Sequence, residues 1–581
     1  MRFRQVRSSV LSSIMSSGMP SGMSSVEPPG MSSRRPSGRP GTRLPTITRV
    51  LFVSLSVMLA STEAVGGTAE KYVMQLGENW EISNGLPESA MLISLQGVAN
   101  VGEPRLYFRY PPKWDYTFCD PLLAYYRSSR GMQFTELRSP GEALDSLSRY
   151  AKGYVVWDRK VRTSLIVAFT AAGIHNAVVV TEDQIPLAEG HGLKMAEDFR
   201  GKFAGWSDVR IYQWAYEKYW HECNKNFLVY LGGESGNIMK PGIADFGIHH
   251  RCFFTDASTN PRDTLEYAFA SRLFAELKPL SIVIGWHSYA KDLESQHVTL
   301  ASHFGLRVEG LHTLPNMSFN HQIPLSPGFR FRNNHNVREG KSYIPEKKVY
   351  IACIQTDCLG LGAWTKPGRG EIPYAWEVTM NWSWLAPAML QYFYDMATPN
   401  DYFLGSLSGP GYMYPRAIPA ALLPSVVDTA YALMKTLDLN IFEIMEHSSY
   451  WSSGGIDDDL PKSIVDTYFA RMPDVLGIAN GYRPAHTFAV YGGKPFISYD
   501  YYLGEKRDEA EAAADLQELA NLNPARPYFL LLHVREWSDI KRVKRILDRL
   551  GSGFETVPLD LFMTMAGKNP TYMTRFGALP R

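Results

Sequence analysis

The chain has 581 residues, more than one hydrophobic core usually organises, so it must divide into at least two packed units. A hydrophobic fraction of 45% and a charged fraction of 20% exclude wholesale disorder and a membrane bundle. The formal net charge of +1 provides no field that would gather a nucleic acid.

Residues 1 to about 48 are rich in Ser, Gly, Pro and Arg and poor in large apolar side chains, so a disordered leader is expected there. Arg43 and Arg49 then flank the apolar run VLFVSLSVMLA at 50–60, and small residues follow at 61–67. A basic flank, a short apolar run and a small-residue exit predict a secretory signal, with a secreted or periplasmic mature chain starting between residues 61 and 70. A surface helix with a linker is the alternative. No later run is long and apolar enough for an integral membrane span.

From 70 to 277 the pattern predicts an N-terminal α/β domain. Helical MLISLQGVAN precedes the strand PRLYFRY, and MQFTEL at 132–137, GYVVWD at 153–158 and NAVVVT at 176–181 read as strands separated by helical stretches. Near-continuous apolar strands of this kind belong to parallel sheets covered on both faces. LGGESGN at 231–237 lacks the spacing of a phosphate-cradling loop, so no nucleotide cofactor is expected. The five cysteines, at 119, 223, 252, 353 and 358, have no zinc spacing and read as buried thiols with at most one disulfide.

From 278 to 581 eight strand-like runs end in polar residues: SIVIGWH, YIACIQTD, YAWEVT, YFLGSLSG, IFEIMEH, VLGIANG, KPFISYD and YFLLLHVREW. Helical stretches between several of them predict a (β/α)8-like barrel, whose active face collects side chains from different strand ends; an open doubly wound sheet remains the alternative. Histidines 297, 303, 312, 321 and 335 fall in the long connection after the first of these strands and read as a polar lid, with no ligand spacing that defines a metal site.

Glycoside hydrolysis requires one carboxylic acid to protonate the leaving oxygen and a carboxylate to attack or to activate water. Asp357, Glu377, Glu446 and Asp500 each end a different strand. Glu446 is expected as the acid, because an apolar strand delivers it beside His447, and Asp357 as the second carboxylate. Glu443, three residues before Glu446, points to the other side of the strand and reads as structural. His287, His447 and His533 are candidates to orient carboxylates or bind sugar hydroxyls. Trp286, Trp382, Trp384, Tyr412 and Tyr414 are candidates to stack on sugar rings, and Glu377 and Asp500 to contact substrate. Asp457, Asp458 and Asp459 read as a solvated loop.

The stretch Gly409-Pro410-Gly411-Tyr412-Met413-Tyr414-Pro415 resembles the signature of the GxGYxYP putative glycoside hydrolase family. LISLQGVANVGEPRLYFRY, GYVVWD, APAMLQYFYDMATPNDYF and FLLLHVREW are similar to the family pattern too, so the resemblance spans roughly residues 75–570. It implies an N-terminal α/β domain, a catalytic-type C-terminal domain and an extracellular carbohydrate as substrate. The chain departs from the family at Thr356-Asp357-Cys358-Leu359-Gly360, where a second Asp and an Asn are replaced. That departure keeps open a degenerate glycan-binding protein, and His287, Asp357 and His533 would suit a metal-dependent carbohydrate deacetylase.

Overall fold

The computed structural model describes residues 70–77, 81, 83–111, 118–233, 242–310, 315–359, 362–448, 460–484, 489–535 and 538–570. The leader and signal expected over 1–69, together with His312, Asp457, Asp458, Asp459 and Glu536, lie outside the described residues.

The N-terminal half carries three small sheets. β1 (Tyr72–Gln75), β2 (Leu106–Arg109) and β3 (Thr135–Leu137) pair in the order β2-β1-β3. β4 (Gly153–Val156), β5 (Ala177–Val180) and β6 (Met195–Asp198) pair as β5-β4-β6. β7 (Phe227–Gly233), β8 (Phe253–Thr255), β9 (Ile282–Ser288) and β10 (Arg307–Glu309) pair as β10-β9-β7-β8. Every ladder in the three sheets is parallel. All four residues of β4 and of β5 are buried, as their unbroken apolar sequence requires.

The C-terminal half is built on one ten-stranded mixed sheet. Its strands are β11 (Val349–Gln355), β12 (Tyr374–Val378), β13 (Asp401–Gly405), β14 (Ile441–Ile444), β15 (Gly477–Pro484), β16 (Ala489–Tyr491), β17 (Lys494–Tyr499), β18 (Tyr501–Leu503), β19 (Tyr528–Val534) and β20 (Phe554–Thr556). The order is β16-β17-β15-β14-β13-β12-β11-β19-β18, with β20 beside β11 and β16 antiparallel to β17. β17 bonds to β15, while β18, one residue further along the chain, bonds to β19. At that junction the Asp500 amide donates to Leu531 O (2.9 Å).

All eight strands expected after residue 278 are present, but the first of them, β9, pairs with β7 rather than with β11 or β12. The third sheet therefore crosses residues 277 and 278, and these eight segments do not form one ring. Periodicity identified the strand but carried no information about its neighbours.

Alternation along the C-terminal strands sorts their side chains into two cores. Tyr350, Ala352 and Ile354 of β11 pack with Ala375, Tyr402, Leu404, Ile441, Ala479, Ile497, Tyr499, Phe529 and Leu531 on one side. The intervening Val349, Ile351, Cys353, Trp376, Phe442 and Leu530 face the other core. The helix Leu559–Lys568 places Phe562, Met563 and Ala566 against the first side. Phe562→Ala should cost about 3 to 5 kcal/mol, because a fully buried aromatic leaves a cavity in that packing. Urea unfolding of the two proteins measures the loss.

Candidate active site

The apolar face of the C-terminal sheet ends in a polar layer. Two residues beyond Ile354, Ala375, Leu404, Ile441, Ala479 and Leu531 come Thr356, Glu377, Ser406, Glu443, Gly481 and His533. With a period of two, each shares the face of the apolar residue before it. Glu377 and Glu443 are completely buried, and interact directly with each other. Neither Oε1 atom has a hydrogen-bond partner among the described residues. Two carboxyls buried beside one another disfavour a second charge, so the pair retains a proton above the usual carboxylate range.

The outer oxygens are held separately. Tyr499 Oη donates to Glu443 Oε2 (2.9 Å), and the Cys358 amide donates to Glu377 Oε2 (3.4 Å). Burial and the neighbouring Glu443 push the Glu377 carboxyl well above the usual range. Burial pushes Glu443 up to about 7 against the pull of the Tyr499 and Glu377 hydrogen bonds. Gly481 is required beside this pair, because a Cβ there would lie 2.8 Å from Glu443 Cδ.

Asp357 stands at the rim, its side chain 22% exposed and ion-paired to Arg535 Nε. It acts electrostatically on Glu443. Asp357 and Cys358 both have positive φ, 67° and 64°, and so do Leu407 and Ser408, 69° and 71°, at the end of β13. Residues other than glycine in this region cost roughly 1 to 3 kcal/mol each, and such strain gathers at functional sites. Ser408 fastens its corner to β14: its amide donates to Glu443 O (3.2 Å), and its hydroxyl donates to Met445 O and accepts from Met445 N (2.7 Å each). His533 bonds Thr356 Oγ1 through Nε2 (2.7 Å) and stacks on Tyr499, with centroids 4.8 Å apart.

The other expected site residues lie elsewhere. Glu446 follows the end of β14 on the parity of Phe442 and Ile444, and its carboxylate accepts from the amides of Arg416 and Ser448 (2.7 Å each). Burial raises its pKa against those hydrogen bonds, but none of its interactions reaches Asp357. Alternation did separate Glu443 from Glu446, and the buried acidic pair lies on the face that carries Glu443. Asp500 accepts from Tyr528 Oη (2.7 Å) and the Leu531 amide (2.8 Å), so it latches the β17–β18 junction to β19.

Tyr412 and Tyr414 are buried instead of forming an exposed rim. Tyr412 forms an antiparallel bridge with Val308, donates to Glu294 (2.5 Å) and lies parallel to Trp286 at 6.1 Å; the Tyr414 ring is 5.9 Å from that of His447. Gly411 permits this packing, since a Cβ there would meet Arg307 Cβ at 3.0 Å and Glu309 Oε1 at 3.1 Å. The signature loop thus joins the third sheet to the C-terminal half. His287 bonds Asp292 (3.0 Å) in that third sheet, remote in topology from His533. The three-residue metal set of the deacetylase alternative is not assembled. Trp382 is buried against Phe393, whereas Trp384 is 37% exposed. The expected lid histidines are dispersed: His297 is buried beside Tyr230, His321 bonds Leu385 O (2.9 Å), and His335 pairs with Asp438 (3.0 Å). All five cysteines are buried free thiols.

The strands of this α/β scaffold end in a buried carboxyl pair. The chain belongs to the GxGYxYP putative glycoside hydrolase family. The first three domain models of the family match residues 72–149, 151–223 and 226–322, and its putative glycoside hydrolase C-terminal domain matches 347–567. The third match spans all four strands of the β7–β10 sheet. A crystal structure of a putative hydrolase from Bacteroides thetaiotaomicron has a similar fold, with a TM-score of 0.70 at 19% identity, covering 86% of this chain and 95% of that one. No curated protein matches this chain.

Both carboxyls retain protons in the folded chain where an unfolded glutamate, near 4.5, has lost its own. Stability is therefore lost as pH rises from that value through 7. The melting temperature should fall between pH 5 and pH 8, by the equivalent of about 2 kcal/mol. Glu443→Gln should flatten the slope in a calorimetric pH series.

Proposed function

We propose that the protein is a glycoside hydrolase acting on an extracellular carbohydrate, with the Glu377–Glu443 pair as its proton-transfer centre and Asp357 as the further carboxylate. The shared proton carries this reading: burial keeps a carboxylic acid protonated near neutral pH, as protonation of a glycosidic oxygen requires. Asp357, ion-paired to Arg535, supplies a charged carboxylate at the partly exposed edge of the same cluster. Thr356 and His533 hold the ring of Tyr499 beside the pair. We further read the C-terminal strands as a ring of seven, β11 to β15, the joined β17–β18 and β19, closed where Asp500 meets Leu531. Closure of this kind would gather the strand ends around one centre. Export rests on the basic flank and apolar run at 50–60.

A glycan-binding protein without turnover is the second reading. It is favoured by the complete burial of Glu377 and Glu443 and by Cys358 at the altered family position.

Product release from a panel of polysaccharides and aryl glycosides separates the two. Glu377→Gln, Glu443→Gln and Asp357→Asn should each lower kcat/KM by about a thousandfold or more, whereas Glu446→Gln should stay within about tenfold of the parent. Glycan binding with no product from any form would establish the second reading.

A further inference from the structure

The two members of the carboxyl pair have unlike surroundings. Glu443 accepts from a phenol, Tyr499 Oη at 2.9 Å, whereas Glu377 is met only by backbone amides, that of Cys358 at 3.4 Å and that of Asp357. Tyr499 itself is fully buried and is held in place by stacking on His533, which Thr356 fixes in turn. A phenol that donates to one carboxylate stabilises the charge on that group and not on its neighbour.

We propose that Tyr499 is a positioning residue that assigns the shared proton to Glu377 and leaves Glu443 as the charged member of the pair. This rests on the acid/base reading above and gives it a direction: Glu377 is the proton donor and Glu443 the proton acceptor. Among the described residues, the titratable and charged groups around the pair are Asp357 and Cys358 at the end of β11, His533 from β19 and Tyr499 from β17, with Arg535 paired to Asp357 and Glu309 acting on Cys358. Asp357 acts against the charge on Glu443, so Tyr499 has to outweigh a repulsive neighbour.

The assignment is tested without substrate, so a failure to find a glycan would leave it standing. Carbon-13 NMR of the full chain carrying glutamate labelled at the carboxyl carbon follows both groups through a pH titration, with Glu377→Gln and Glu443→Gln assigning the two signals. Glu443 should ionise first, and Tyr499→Phe should move its midpoint up by about one pH unit. Tyr499→His keeps a ring donor and should restore part of the shift. An unchanged melting temperature at pH 5, where both carboxyls are protonated, excludes a general loss of structure in either variant. The order in the parent protein decides the matter even where a variant does not fold. Ionisation of Glu377 before Glu443, or a midpoint unmoved in Tyr499→Phe, would overturn the assignment.

Discussion

Two carboxyl groups buried side by side resist carrying charge together, and that constraint shapes the C-terminal half. Glu377 and Glu443 come from β12 and β14, with β13 between them, so their meeting depends on the register of three parallel strands. Their proton substitutes for a counterion of the kind that Asp256 possesses. Asp256, by contrast, is equally buried but lies against Arg162 (2.6 Å) and Lys291 (3.0 Å), and its pKa is lowered to about 2. The same chain thus holds one buried acid as an anion and keeps a proton on a buried pair, through the neighbours it supplies.

The rest of the half supports that pair. Gly481 leaves room for the Glu443 carboxyl, Ser408 ties the β13 corner to the β14 backbone, and the strained residues 357, 358, 407 and 408 terminate the strands on either side of β12. The signature loop works at longer range. Tyr412 bridges to β10, and Asn381, just beyond β12, donates to Glu309 of β10 and to Pro410 O. The glycines and tyrosines that mark the family are therefore a joint between the third sheet and the C-terminal half, and their spacing reflects close packing.

Most of the secondary structure was legible because apolar runs and helical periods are local. NAVVVT, GYVVWD and all eight C-terminal strands can be read without knowing their partners. Pairing is not local, which is why β9 was grouped with the wrong sheet. Short strands such as β6, mostly exposed, and β10, three residues long, leave too little pattern to detect. At the site, position on a strand end was readable but the inward face was not. Glu446 looked stronger than Glu443 because an apolar strand leads to it. The face is betrayed only by the small residues opposite, Ala375, Ala479 and Gly481, which make room in the interior, and recognising them requires the strand order. Asp357 and Glu377 were legible as strand-end acids; the place of Tyr499 beside them was not, because a tyrosine two residues after an isoleucine in a strand reads as core.

A double-mutant cycle in stability at pH 8, with Glu377→Gln, Glu443→Gln and the pair together, addresses the shared proton most directly. Each substitution relieves the same enforced proximity of two acids, so the double variant should differ from the sum of the single effects by about 1 kcal/mol or more. Effects that add to within about 0.5 kcal/mol would mean that the two carboxyls are independent, and would contradict the account.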